Sequence, residues 1–137
     1  MVFTTKAQVR FAHVDAAGIV FYPRYFEMLN AAVEDWFAQA LKADFKNLHF
    51  GRKIGLPTVK IDVEFLSPSR LGDDLTISIT PTELGRSSCS LSVLFSAEGR
   101  NRLRANVKLV CMDIETQRSL PWPDDVRAGI EAALGPA

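Results

Sequence analysis

The chain has little of what usually betrays an active site. It holds two cysteines and two histidines in 137 residues, far apart, so no metal-ligand spacing exists and no metal is expected. There is no Gly-x-Ser-x-Gly elbow, and the turn SPSRLGDD has no phosphate-loop pattern. No apolar run approaches the roughly 20 residues of a membrane span. The N-terminal MVFTTKAQVRF lacks a signal-peptide core, so the expected location is the cytoplasm. Charge of one sign is also missing, with 16 basic and 16 acidic residues. That balance gives no reason to expect nucleic acid or an anionic membrane surface as partner. Cys89 and Cys111 fall in phase with strand-like apolar residues and are expected as reduced, buried thiols.

What remains is an ordinary globular composition, 47% hydrophobic, with length for one domain over 1–137. Residues 4–12 suit a short strand with Val9 and Phe11 on one face. From Pro23 the apolar period becomes helical: Tyr22, Phe26, Leu29, Val33, Trp36 and Ala40 form a stripe that Tyr25, Met28, Ala32 and Leu41 widen. Pro23 suits a first helical turn, and the helix should end near residue 41. Glu27, Asn30, Glu34 and Asp35 mark its wetter side. Residues 42–56 read as a loop with a short helical turn. Four alternating segments follow, through Val59–Phe65, Leu75–Ile79, Cys89–Phe95 and Leu103–Cys111, joined by short turns that imply antiparallel neighbours. Asp124 and Asp125, behind Pro123, open a last helix. One helix cannot cover both faces of a five-stranded sheet, so an open edge or face invites a second subunit.

The chemistry concentrates at residues 11–29, FAHVDAAGIVFYPRYFEML. Asp15 lies in a small-residue turn just before the helix. A helix start offers unpaired N–H groups and a positive dipole end, which can polarise a carbonyl. A nearby carboxylate can then attack that carbonyl or activate water against it. An aspartate before a helix is more commonly a cap or a turn residue. His13, two residues earlier, suits a structural role at the strand end. Arg100, Arg102, Arg104 and Lys108 gather around one hairpin, where charge keeps an edge soluble or meets a phosphate.

The segment Asp15-Ala16-Ala17-Gly18-Ile19-Val20-Phe21-Tyr22-Pro23-Arg24-Tyr25, with the helix and sheet that follow, resembles the hotdog-fold acyl-CoA thioesterases, most closely the 4-hydroxybenzoyl-CoA thioesterase type. The likeness continues through Gly55-Leu56-Pro57, Gly72-Asp73-Asp74-Leu75 and Leu120-Pro121-Trp122-Pro123. It implies an α+β hotdog fold, a long central helix wrapped by an antiparallel sheet of about five strands. It also implies hydrolysis of an acyl-CoA, aromatic or, as the alternative, short to medium aliphatic. A non-catalytic acyl-CoA binding module and an acyl dehydratase are the other readings on this fold.

By position, Asp15 resembles the catalytic carboxylate. Tyr22 matches the residue whose backbone N–H polarises the thioester carbonyl, and Gly18 a glycine beside that carbonyl. Arg86 stands where the family sets basic residues against the CoA phosphates at a subunit boundary, though Gly85 and Ser87 replace further basic residues there. No cofactor is implied, since coenzyme A is part of the substrate. A homodimer assembling into a homotetramer is. A second hotdog subfamily uses a helix glutamate, for which Glu27 and Glu34 are the candidates.

Overall fold

A computed structural model describes residues 2–135; the ends of the expected 1–137 span, residues 1, 136 and 137, lie outside it. The chain runs β1 (Phe3–Gln8), a 3₁₀ turn at Phe11–His13, α1 (Pro23–Gln39) and a π-helical turn at Asn47–Gly51. It continues through β2 (Ile54–Gly55), β3 (Thr58–Phe65), β4 (Asp74–Leu84), β5 (Ser88–Ala97), β6 (Arg100–Val110), β7 (Met112–Asp113) and α2 (Asp124–Leu134). Five strands form one antiparallel sheet in the order β1-β4-β5-β6-β3, while β2 and β7 pair separately. This is the hotdog arrangement, a long helix held against one face of a five-stranded sheet.

Strict alternation makes that face. Cys89, Leu91, Val93, Phe95 and Ala97 are buried along β5, and Leu103, Ala105, Val107 and Leu109 along β6. Serines and charged residues occupy the other phase, so one sheet face meets the core and the other stays polar. From α1 the core receives Tyr25, Met28, Leu29, Ala32, Val33, Trp36 and Phe37. The stripe is thus narrower and slightly rotated from the sequence reading. Tyr22 and Ala40 are exposed, because they are the N-cap and the C-cap and lie outside the regular turns of the helix. The first strand is likewise shorter than expected. Val9 is buried, but the chain turns at Phe11, whose ring is 83% exposed.

Two details of the strands have local causes. Pro81 sits inside β4, yet β1 pairs with β4 only from Asp74 to Ile79, so the absent Pro81 N–H faces no neighbouring strand. The β5–β6 hairpin turns through Glu98 and Gly99, both at positive φ, 52° and 72°. That is the backbone of a type I′ turn, whose twist matches its strands. The C-terminal helix buries Val126 and Ile130, and Trp122 before it donates from Nε1 to the Ser88 carbonyl at 3.0 Å. Arg52 grips Asp125 with two 2.8 Å bonds, tying the loop after α1 to α2.

Both cysteines are free and buried. Burial pushes the Cys89 thiol up to about 12 and Cys111 to about 11, which removes either as a nucleophile near neutral pH.

Candidate functional site

Residues 13–21 fold into a small hairpin of their own. Val14 bridges Val20, the Phe21 N–H donates to the His13 carbonyl at 2.9 Å, and the Asp15 N–H to the Ile19 carbonyl at 3.0 Å. The tip closes with the Gly18 N–H on the Asp15 carbonyl. Gly18 has φ +77°, and a side chain there would meet nothing within 4 Å, so backbone conformation rather than crowding calls for glycine. The Asp15 carboxylate uses one oxygen locally: Oδ1 accepts the Ala17 N–H at 2.8 Å. Among the described residues nothing bonds to Oδ2. His13 is also engaged locally, its Nδ1 accepting the Arg10 N–H at 2.8 Å.

The return arm of this hairpin runs straight into α1. Tyr22 is the N-cap and Pro23 the first helical residue. Arg24 and Tyr25 donate to the Phe21 and Tyr22 carbonyls, and Pro23 has no N–H. Among the described residues no group accepts from the Tyr22 N–H. One unsatisfied donor therefore stands at the positive end of a 17-residue helix, beside a hairpin that carries a carboxylate with a free oxygen.

The β3–β4 loop holds this hairpin from behind. Ser69 and Arg70 pair with it: the Val20 N–H donates to the Ser69 carbonyl at 2.9 Å, Ile19 bridges Arg70, and the Leu71 N–H reaches the Gly18 carbonyl at 3.1 Å. Ser69 is fully buried and its Oγ accepts the Tyr25 hydroxyl at 2.9 Å, linking the loop to the helix. Arg102 holds the other end. Its Nη1 donates to Asp73 Oδ2 at 2.7 Å and to the Pro68 carbonyl at 3.0 Å, and Nη2 to the Ala97 carbonyl. The Arg70 backbone N–H first, and after the opposing effect of burial the Arg102 guanidinium, hold the Asp73 carboxyl below the usual carboxylate range.

Sequence reasoning missed Ser69 and Asp73 as supports of the site, and gave Arg102 only as one of a basic cluster around the hairpin. Arg102 belongs by alternation on the polar face with Arg104. It is only 7% exposed because the β5–β6 register slips between Phe95 and Ser96, which face Leu103 and Asn101. Arg102 is the extra residue, and the bulge re-aims it into the end of the sheet. A glycine-free strand gives no sign of such a bulge, so no local signal marks it. The expected basic cluster is dispersed accordingly: Arg102 meets Asp73, Arg104 pairs with Glu64 at 3.2 Å, and Arg100 stays unpaired among the described residues.

Arg86 is exposed in the β4–β5 turn. The Asp15 hairpin packs against the loop before β4, so the length of β4, roughly 30 Å, separates them within one chain. Of the two helix glutamates, Glu27 is engaged by Arg24 at 2.6 Å. Glu34 lies twelve residues after Tyr22, about 18 Å along the helix, too far to act on a carbonyl bound at its start. Both line a cavity of about 670 Å³ between α1 and β3–β6, with Asn30, Val33, Phe45 and Leu56. Around the helix start, Phe21, Tyr22 and Phe65 form an exposed aromatic cluster with ring centroids 5.7 and 6.1 Å apart. Among the described residues no group of three His, Cys, Asp or Glu could hold a metal, and no helix is long and apolar enough to cross a membrane.

A helix end with an unsatisfied donor suits acyl transfer to water, and the helix held against this sheet is the hotdog fold on which acyl-CoA thioesterases are built. The sequence profile of the thioesterase-like superfamily matches residues 9–130, and the chain belongs to that superfamily. Among its relatives is a 1,4-dihydroxy-2-naphthoyl-CoA hydrolase of Thermosynechococcus vestitus, 29% identical over 91% of this chain and 86% of that protein. The crystal structure of a 1,4-dihydroxy-2-naphthoyl-CoA thioesterase from Synechocystis superposes with a TM-score of 0.88 at 24% identity, covering 99% of this chain and all of the other. A gentisyl-coenzyme A thioesterase superposes at 0.82 with 28% identity, over 94% and 99% of the two chains.

Proposed function

We propose that the protein hydrolyses an aromatic acyl-CoA, of the hydroxylated benzoyl or naphthoyl kind, to the free acid and coenzyme A. The observation that carries this reading is the unsatisfied Tyr22 N–H beside the Asp15 hairpin. The thioester carbonyl oxygen accepts from that N–H, which stabilises the charge that develops on it. Asp15, through Oδ2, attacks the carbonyl to give a mixed anhydride or takes a proton from the attacking water. Gly18 keeps the tip of the hairpin low beside the substrate. The coenzyme A thiolate leaves without a strong acid, since a thiol ionises far more readily than an alcohol. No cofactor takes part. The named relatives act on hydroxylated aryl-CoA esters, which supports an aromatic substrate over an aliphatic one. Free-thiol release should be followed across 4-hydroxybenzoyl-, 1,4-dihydroxy-2-naphthoyl-, benzoyl-, butyryl- and octanoyl-CoA. The expected result is at least tenfold higher kcat/KM for the hydroxyaryl esters. A preference for the aliphatic esters would reverse the assignment, and no release from any of them would remove it.

The active unit is a homodimer in this reading. Asp15 and the helix start are exposed in one chain, where water weakens the electrostatic help they offer. Beside them β3 is an uncovered sheet edge on which Val59, Ile61 and Phe65 are exposed. Two copies of β3 can pair about a twofold axis with apolar opposite apolar. Placing Ile61 on the axis sets Lys60 against Asp62 of the partner twice, with no like charges opposed. A shift that puts Asp62 or Lys60 on the axis opposes like charges. Asp62→Lys should therefore weaken the dimer by at least tenfold in sedimentation equilibrium, and Lys60→Asp added to it should restore association. A monomeric wild type, or an Asp62→Lys variant that dimerises as well as wild type, would rule this register out. Two such dimers compose the tetramer expected of the family. Across a subunit boundary Arg86 of a neighbouring copy meets the CoA phosphates, which one chain alone does not allow.

A further inference from the structure

We propose that a second arginine locus, the cleft between the β3–β4 loop and the β5–β6 hairpin, binds a phosphate group of the CoA nucleotide through Arg70 and Arg100. The inference rests on the acyl-CoA reading above and deepens it. The cleft encloses about 340 Å³ and is lined by Pro68, Arg70, Asp73, Glu98, Arg100 and Arg102. Its floor is already balanced: Arg102 and Asp73 neutralise each other in a largely buried pair, their side chains 8% and 17% exposed. Asp73 Oδ2 is taken by the Arg70 backbone N–H and by Arg102. Among the described residues neither the Arg70 nor the Arg100 guanidinium has a hydrogen bond or a salt bridge, and Arg70 acts on Asp73 only through space, by its charge. Glu98, in the hairpin turn, is the single remaining acid on the rim.

Two free planar guanidinium forks over one concave floor match the oxygens of a phosphate, which each can engage with paired N–H bonds. The place of the cleft matters as much as its charge. Arg70 is the residue whose backbone bridges Ile19 in the Asp15 hairpin. Its side chain thus stands at the catalytic end of the sheet, in the same chain as Asp15, where Arg86 does not. Coenzyme A carries phosphate at two separate places, the pyrophosphate and the ribose phosphate. A cleft in one subunit and Arg86 of another can each take one.

The test compares the preferred acyl-CoA with the same acyl group on pantetheine, which lacks the nucleotide. In Arg70→Ala and Arg100→Ala, KM for the CoA ester should rise about tenfold with kcat little changed, while KM for the pantetheine ester stays put. Glu98→Gln should lower KM for the CoA ester. In parallel, calorimetric titration with coenzyme A should show the same tenfold loss of affinity in both arginine variants. Unchanged KM and unchanged coenzyme A affinity in the two variants would overturn the cleft while leaving the thioesterase reading intact. A wild type that hydrolyses no CoA ester, yet loses coenzyme A affinity on Arg70→Ala, would overturn the thioesterase reading and keep the cleft. Inorganic phosphate binding as tightly as coenzyme A, with both arginine variants weakening it and sparing the ester KM, would assign the cleft to free phosphate and overturn the proposal.

Discussion

Asp15→Asn is expected to lower kcat for the preferred CoA ester by more than about 100-fold, with KM nearly unchanged. The substitution is chosen because it separates turn structure from chemistry. Oδ1 accepts the Ala17 N–H, and an asparagine amide oxygen can accept the same bond, so the Asp15–Gly18 turn survives. Among the described residues Oδ2 has no partner, and only there does the loss of charge matter. Thermal unfolding should therefore shift by no more than about 0.5 kcal/mol in stability, while hydrolysis collapses. A variant that hydrolyses within threefold of wild type would make Asp15 a turn residue and nothing more. A single turnover in ¹⁸O-water, paired with hydroxylamine trapping, tells its two roles apart in the wild type. Label in the Asp15 carboxyl, or an Asp15 hydroxamate on trapping, means that an anhydride formed, whereas label confined to the released acid together with no hydroxamate means that Asp15 acted as a base.

How far this was readable from sequence depends on what kind of interaction fixes each element. The helix start, the strand alternation and the hairpin at Glu98-Gly99 are local, and each shows in spacing or in a turn residue. So does the Asp15 segment, because Gly18 needs its positive φ and Pro23 its place at the first helical position. Phe11 misled for a definite reason. It keeps the period of β1 with Val9, but the chain leaves the sheet once Gln8 has paired with Asp74, and periodicity does not record where a partner strand ends. The groups that hold the site in place were not readable at all. Ser69 and Tyr25 are 44 residues apart and Arg102 and Asp73 are 29 apart. Their meeting is decided by register and by one bulged residue. Arg86 fails differently: its family position is legible, but its use depends on a second copy of the chain, and a single sequence carries that only as an uncovered strand edge.

Removal of that hidden support gives the largest expected loss of stability. Arg102→Met should cost about 3 kcal/mol, because it strands a largely buried Asp73 carboxylate and leaves the Pro68 and Ala97 carbonyls short of a donor. The deficit should depend on pH in one direction. Asp73 is held below its unfolded value by the Arg70 N–H and by Arg102, so its contribution is complete above the unfolded carboxylate range and is lost as pH falls through the lower folded value. The gap between wild type and Arg102→Met in urea unfolding should then stay constant from about pH 7 to 5 and narrow below about pH 4. Asp73→Asn combined with Arg102→Met should recover part of the loss, since no unpaired charge is left behind. The Arg102→Met variant should also lose kcat beyond any change in KM, because the loop it releases carries the Ser69 and Leu71 groups that fix Val20 and Gly18. A variant as stable as wild type, or one whose deficit grows below pH 4, would show that the bulge, rather than the ion pair it creates, holds the loop against the Asp15 hairpin.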